Sequence, residues 1–234
     1  MSAARVEEPQ AMNAGKNAAR PLAMTAGKNA ARLAMLLLGL VLAGGALVYA
    51  AFHLTRERIE EAENREKFAI VNQILPANLY DNHVLQDSVK IAPNRLLGTN
   101  EATLAYRARS QGKPVAVILE AVAPDGYGGR IKLVIALFNG GQIAGVRVLA
   151  HNETPGWGDY IEIEKGPWIK VFAGKSAAGY APVDWQVRKD GGKFDYVARA
   201  TVTPRAVVKA VHSALQFYAA RADELFAPHG RVIK

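Results

Sequence analysis

The period of the hydrophobic pattern changes along the chain, and each change predicts a different element. Residues 33–55 hold no formally charged side chain, and most of the stretch reads LAMLLLGLVLAGGALVYAAF. As a helix these 23 residues would extend about 34 Å, close to the ~30 Å hydrocarbon thickness of a bilayer. A cleaved signal sequence is the competing reading. The run is longer than the ~7–15 residues of a signal core and passes directly into a helical pattern, which favours a retained transmembrane anchor. Residues 56–76 alternate Glu, Arg and Lys with Ile59, Ala62, Ala69 and Ile70, predicting a linking helix that stops at Pro76. Residues 76–114 give only weak, mixed signals.

Strand signals follow. Residues 115–122, 130–138 and 142–149 are rich in Val, Ile and Leu. They are separated by the turn sequences Pro124-Asp-Gly-Tyr-Gly-Gly129 and Asn139-Gly-Gly141. This is the pattern of an antiparallel meander. A short helix is predicted over 167–172, and another strand over 183–188, closed by Asp190-Gly-Gly192. From Pro204, the residues Val207, Val208, Val211, Leu215, Tyr218, Ala222 and Leu225 recur at three- and four-residue spacing. They mark one face of a long amphipathic helix that ends near Pro228. Strands in the middle and helices at the ends predict an α+β fold, an antiparallel sheet flanked by helices, behind a single N-terminal transmembrane helix. The divisions are a basic tail at 1–32, the membrane helix at 33–55, the linking helix at 56–76 and the folded domain at 77–228.

The start of the last helix has chemical interest. Proline suits the first helical position, where its missing N–H would be unpaired in any case, so Pro204 puts Thr203 at the N-cap. A phosphate there would meet free N–H groups and the positive end of the helix dipole. On this local pattern alone, an ordinary threonine cap is the favoured reading, because threonine caps are common. Arg205 reads either as a contact to such an anion or as a solvated side chain.

Charge and composition narrow the picture. The net charge is +8, of which the tail at 1–32 supplies +3. In that tail Ala11–Arg20 recurs as Ala23–Arg32 with one position changed. Two copies are too few for a solenoid, and a duplicated basic segment at an anionic lipid surface explains them. Arg56, Arg58, Arg65 and Lys67 follow the span, so the positive-inside count leans only weakly toward a cytoplasmic N-terminus. Gly39, Ala43, Ala46 and Ala50 form a small-residue stripe that either admits a neighbouring helix or is merely tolerated. No basic stripe with interleaved aromatics is present, which argues against nucleic-acid binding. The chain has no cysteine, so disulfides, thiolate catalysis and Cys-ligated clusters are excluded. No His-Glu-x-x-His, Gly-x-Ser-x-Gly, Walker or dinucleotide-binding glycine pattern occurs.

Three motifs carry a resemblance. Asp195, Ala200, Thr201 and Thr203 match a flavinylation pattern that runs Asp, two variable residues, Ser or Thr, Gly, Ala, Thr, a variable residue, then Thr or Ser. Ala198 replaces its usual Ser or Thr, and Arg199 replaces its Gly. His151-Asn-Glu153-Thr154-Pro155-Gly156-Trp157-Gly158 resembles a His-x-Glu-Thr-Pro-Gly-Leu-Gly loop, and Gly126-Tyr-Gly-Gly129 precedes it in the expected order. Residues 55–226 thereby resemble the covalent-FMN domain family. Its members are the G subunit of the Rnf electron transport complex and the C subunit of the sodium-pumping NADH:quinone reductase. The continuation Thr203-Pro-Arg-Ala-Val-Val208 is similar to the Rnf member.

The resemblance implies FMN held by Thr203 through a phosphoester. It implies Ala200, Thr201 and Val202 at the phosphate, and Glu153, Thr154, Gly156 and Trp157 near the ring. It further implies an electron-carrying subunit of a redox-driven, ion-translocating complex of the bacterial inner membrane, in ferredoxin- and NAD-linked transport. The flavin domain would be periplasmic. The partners would be the other subunits and a flavin transferase that uses FAD. Such a subunit catalyses little alone. Ala198 and Arg199 keep open a flavin-free assembly module, and the quinone-reductase role is a further alternative.

Overall fold

The computed structural model describes residues 19–227 and 232–233. Most of the first repeat copy, up to residue 18, and the expected domain end at 228 lie outside them. The chain divides into two compact units after Ala62.

In the first unit lies most of helix α1, Ala19–Ile74. Its segment Ala30–Phe52 is long and apolar enough to cross a membrane, and none of it is buried against protein. Leu36, Leu40, Val41 and Leu47 stand fully out from the helix. A run of this kind is matched by hydrocarbon, where every backbone polar group is already bonded within the helix.

The second unit opens with the last turns of α1. Leu75 N–H still bonds Val71 O at 2.8 Å. Pro76 then ends the helix, since it offers no N–H and disfavours helical backbone in the residue before it. Five strands follow: β1 (Ser88–Ile91), β2 (Thr103–Ser110), β3 (Lys113–Gly126), β4 (Gly129–Phe138) and β5 (Ile143–Ala150). Each pairs antiparallel with the next, giving the order β1-β2-β3-β4-β5. After β5 the chain runs through short 3₁₀ turns to helix α2, Val202–Phe226.

Both faces of the sheet are buried, so β3 and β4 are apolar on both sides. Val117, Leu119, Ile131, Leu133, Ile135 and Leu137 face one core, which α2 fills with Val207, Val208, Val211, Leu215 and Phe217. The intervening Ala116, Ile118, Val134 and Ala136 face a second core with Val71, Ile74 and Leu75. Gly145 of β5 lets α1 approach closely: a Cβ there would come within 2.9 Å of Ile74.

Three features differ from the sequence pattern. First, β1 and β2 occupy the stretch with weak signals. Second, residues 183–188 are not a strand. Pro182–Asp184 is a 3₁₀ turn, and only Val187 bridges, to Phe194. Trp185, Val187 and Phe194 are buried in a cluster with Phe172 and Tyr180, so their apolar character reflects core packing and not a ladder. Third, the helix expected over 167–172 is a 3₁₀ segment, Trp168–Phe172.

The C-terminus of α2 is anchored from the sheet. Arg107 Nη1 donates to Ala227 O at 2.6 Å and Arg109 Nη2 to Phe226 O at 3.2 Å. Two guanidinium groups from β2 thus meet carbonyls that the helix leaves without partners. Arg107 is itself fully buried and paired with Asp87 at 2.6 Å. Ile233 adds a short bridge to β1, its N–H bonding Lys90 O at 2.9 Å.

Candidate functional site

The β3–β4 hairpin, the loop after β5 and the first turn of α2 converge at one end of the sheet. In the loop, His151 Nδ1 accepts the Glu153 N–H at 2.9 Å. The other ring nitrogen must then donate, and it meets Glu162 at 2.6 Å. Thr154 O accepts from Gly158 N at 2.8 Å, closing a tight turn through Pro155, Gly156 and Trp157. Gly156 sits there at φ +75°. Its N–H donates to Asp159 at 2.8 Å.

This loop is pressed against the hairpin. Gly128 N–H donates to Glu153 Oε1 at 2.9 Å. A Cβ on Gly128 would come within 1.8 Å of Asn152 O, so glycine is required for the approach. A Cβ on Gly158 would come within 2.9 Å of Glu153 and 3.1 Å of Thr203 Oγ1. The other Glu153 oxygen accepts a hydrogen bond from the Thr203 hydroxyl. Glu153 and Thr203 are only 4% and 2% exposed, so each engages the other with little contact to bulk water.

Helix α2 starts two residues earlier than its proline signals. Thr201 is the N-cap, without a side-chain cap bond, and Thr203 lies inside the first turn. Pro204 is tolerated there because N–H groups of the first turn have no helical partner. The Thr203 side chain does not serve as the cap, since Glu153 engages its hydroxyl. Before the helix, Ala200 N–H bonds Val197 O at 3.0 Å, and Arg199 between them holds φ +72°. The Tyr160 hydroxyl donates to Ala200 O at 3.4 Å and accepts from Val197 N at 3.5 Å. Burial pushes the Tyr160 phenol up to about 12 against the Val197 N–H, and the nearby Glu153 charge adds to the rise. Tyr160 therefore stays a neutral donor.

These parts enclose a cavity of about 470 Å³, within the usual range for a ligand pocket. Its floor is Glu153, Thr203 and Gly158, with Ala200, Thr201 and Val202 beside them. Tyr127 and Trp157 line it with largely exposed rings. Lys189, Arg199 and Arg205 give it three cations. Arg205 is also gripped by Asp190, with Nη2 to Oδ1 at 2.6 Å. That ion pair holds the Asp190 carboxyl below its ordinary range. A second cleft of about 460 Å³ backs onto the same loop through His151 and Glu162, but its lining includes no residue of the hairpin or of α2. The motif cavity offers flat apolar faces, an anion-attracting helix start and basic side chains, which suits a planar aromatic ligand bearing a phosphate.

Residues 126–216 match the family model of the FMN-binding domain. The G subunit of the ion-translocating oxidoreductase complex of Pseudomonas aeruginosa is 48% identical over 194 residues, covering 82% of this chain and 91% of that protein. Its counterpart from Shewanella oneidensis is 41% identical, covering 77% and 85%. That from Vibrio cholerae is 42% identical, covering 76% and 88%. The chain belongs to the family of G subunits of ion-translocating oxidoreductase complexes. Its cofactor is FMN, and the cavity just described fits that group in shape and charge.

Of the site residues read from the motifs, Glu153, Thr154, Trp157, Ala200, Thr201, Val202 and Thr203 line this one cavity. Gly156 does not line it and instead shapes the turn that carries Trp157. The cavity adds Tyr127 and Lys189, which the motif reading misses. Tyr127 sits at the tip of the glycine-rich hairpin, a signal present in the sequence. Lys189 lies in a 3₁₀ turn with nothing to mark it.

Arg199 is the departure with a structural consequence. An L-residue at φ +72° bears a steric cost of about 1–2 kcal/mol that glycine avoids. Glycine returns part of that through its larger unfolded-state entropy. Arg199→Gly is therefore expected to stabilise the domain by about 0.5–1 kcal/mol, read as a higher urea midpoint with an unchanged slope. An unchanged or lower midpoint would mean that the arginine side chain compensates for the strain.

Proposed function

We propose that this chain holds FMN covalently, through a phosphoester to Thr203, and acts as a membrane-anchored electron carrier in ferredoxin- and NAD-linked ion translocation. The observation that carries the covalent reading is the Thr203 hydroxyl, set in the first turn of α2 at the floor of the cavity. FMN supplies the redox chemistry, taking up and passing on electrons. The chain's residues hold and orient it. The first-turn N–H groups and the Lys189 and Arg199 charges draw the phosphate to the helix start. Tyr127 and Trp157 offer faces for the ring. Glu153 and Thr203, both buried, exclude water from the linkage.

The left-handed backbone at Arg199 supports this reading. The turn for which the flavinylation pattern uses glycine is kept here despite the larger side chain. On this reading the N-terminal tail is cytoplasmic and the flavin domain periplasmic. A tethered cofactor suits that side, where lost FMN would be hard to replace. The partners are the remaining subunits of the complex and a flavin transferase that draws on FAD.

The test is intact and peptide mass on protein from its native membrane, with fluorescence of the denatured gel band. The expected result is a mass increase of FMN less water on the peptide containing Thr203. Unmodified Thr203 from cells with an active transferase would end the covalent reading and favour a flavin-free assembly module.

A further inference from the structure

The buried pair at the cavity floor goes beyond holding a cofactor. We propose that Glu153 is the proton acceptor for the attachment reaction at Thr203, so that the chain supplies part of the chemistry of its own modification. This role rests on the covalent reading above.

A threonine alcohol is a weak nucleophile unless a base takes its proton as the new bond forms. The Thr203 Oγ1 proton points to Glu153 Oε2, its acceptor among the described residues. The carboxylate is held so that it can do little else. Oε1 is fixed by the Gly128 N–H at 2.9 Å, and the backbone N–H of Glu153 is fixed by His151 at 2.9 Å. Gly126 and Gly158 lie against the carboxylate, where any side chain would push it off this position. A Cβ on Gly126 would stand 2.7 Å from Oε1, and one on Gly158 3.2 Å from Oε2. A purely structural hydrogen bond for Thr203 would not need a buried carboxylate. A neutral amide or a backbone carbonyl would serve without the desolvation cost of a charge.

In the attachment step, Thr203 Oγ1 attacks the FMN-side phosphorus of a flavin dinucleotide, and a new O–P bond forms. The bond between that phosphorus and the bridging oxygen breaks, and AMP leaves with the bridging oxygen and its electron pair. The hydroxyl proton passes to Glu153 Oε2 and is then released to water. No electrons are exchanged with an outside reagent. Lys189 and Arg199, lining the same cavity, supply positive charge for the pyrophosphate.

The test uses the full-length chain made without transferase, then given FAD and an active transferase. The rate of covalent incorporation is followed by mass, and folding by thermal unfolding of the unmodified protein. Glu153→Gln keeps the shape and the Gly128 bond but removes the base. Its incorporation rate is expected to fall by about 100-fold or more, with the unfolding midpoint little changed. Glu153→Asp retains a base one methylene short and is expected to fall between Gln and wild type. A Gln variant modified within about threefold of the wild-type rate would overturn the proposal. If the Gln variant does not fold, Glu153→Ala decides, and a rate within about threefold of wild type there would overturn it. Wild-type chain that takes up no flavin under these conditions would remove the covalent reading, and this proposal with it.

Discussion

Thr203→Ala is expected to carry no flavin through denaturation, whereas Thr201→Ala keeps it. Removing the Thr203 hydroxyl removes the atom that would be esterified, so the loss should be complete and not graded. Thr201 is the control because it sits two residues away on the same cavity wall, and its side chain makes no cap bond that the helix would miss. The Thr203→Ala variant also leaves one oxygen of a buried carboxylate without its donor. That costs about 1–3 kcal/mol, which a domain of this size survives. The measurement is fluorescence of the denatured gel band together with peptide mass, from cells with an active transferase. Flavin retained on the Thr203→Ala protein would place the linkage elsewhere.

The second large effect is on stability. Asp87→Ala is expected to destabilise the domain by about 3–5 kcal/mol at neutral pH. Arg107 is fully buried, and Asp87 pairs both with it at 2.6 Å and with Arg109 at 2.8 Å. Without the carboxylate, Arg107 becomes a charge in the interior whose remaining partners among the described residues are carbonyls. The dependence on pH follows from the same contacts. Burial acts to raise the Asp87 pKa. The hydrogen bond from Arg109 and the charge of Arg107 outweigh it and hold the carboxyl below its ordinary range. A lowered folded-state value means that the contribution is fully present above the unfolded value of about 3.9. It is lost as pH falls through the folded value. Urea unfolding should therefore show the gap between wild type and Asp87→Ala narrowing at strongly acid pH. A gap below about 1 kcal/mol at pH 7 would mean that the two arginines find other partners.

That arginine pair also explains why part of the fold is hidden in the sequence. Strands β3 to β5 are readable because apolar runs alternate with glycine turns. Strand β2 reads Thr-Leu-Ala-Tyr-Arg-Ala-Arg-Ser, with a charge where the core pattern wants an apolar residue. Arg107 satisfies burial through Asp87 and the end of α2, partners far away in sequence. Strand β1 has four residues, too few to show a period. The opposite mismatch occurs at 183–188, where buried Trp185 and Val187 give a strand-like run that packs as part of an aromatic cluster.

At the site, the motifs identify the two segments, because glycines and prolines mark where backbone must turn or approach closely. They do not reveal that Glu153 and Thr203 touch, since nothing in a sequence reports a contact across 50 residues. The cap position is misread for a related reason. Proline marks the first turn of a helix, but which threonine caps it depends on what else the hydroxyl can reach.

The meander has a consequence in time. Each strand pairs with its immediate neighbour in sequence, so the sheet can grow hairpin by hairpin with short loops to close. Helix α2 is made after all five strands, and it reaches back to β2 at one end and to the β5 loop at the other. The cavity floor is therefore absent from every chain whose α2 has not docked. A chain stalled in synthesis, or clipped within α2, would keep its sheet and never present Thr203 to Glu153. Colour in this protein would then be a record of that docking, written only on molecules in which α2 had reached the sheet.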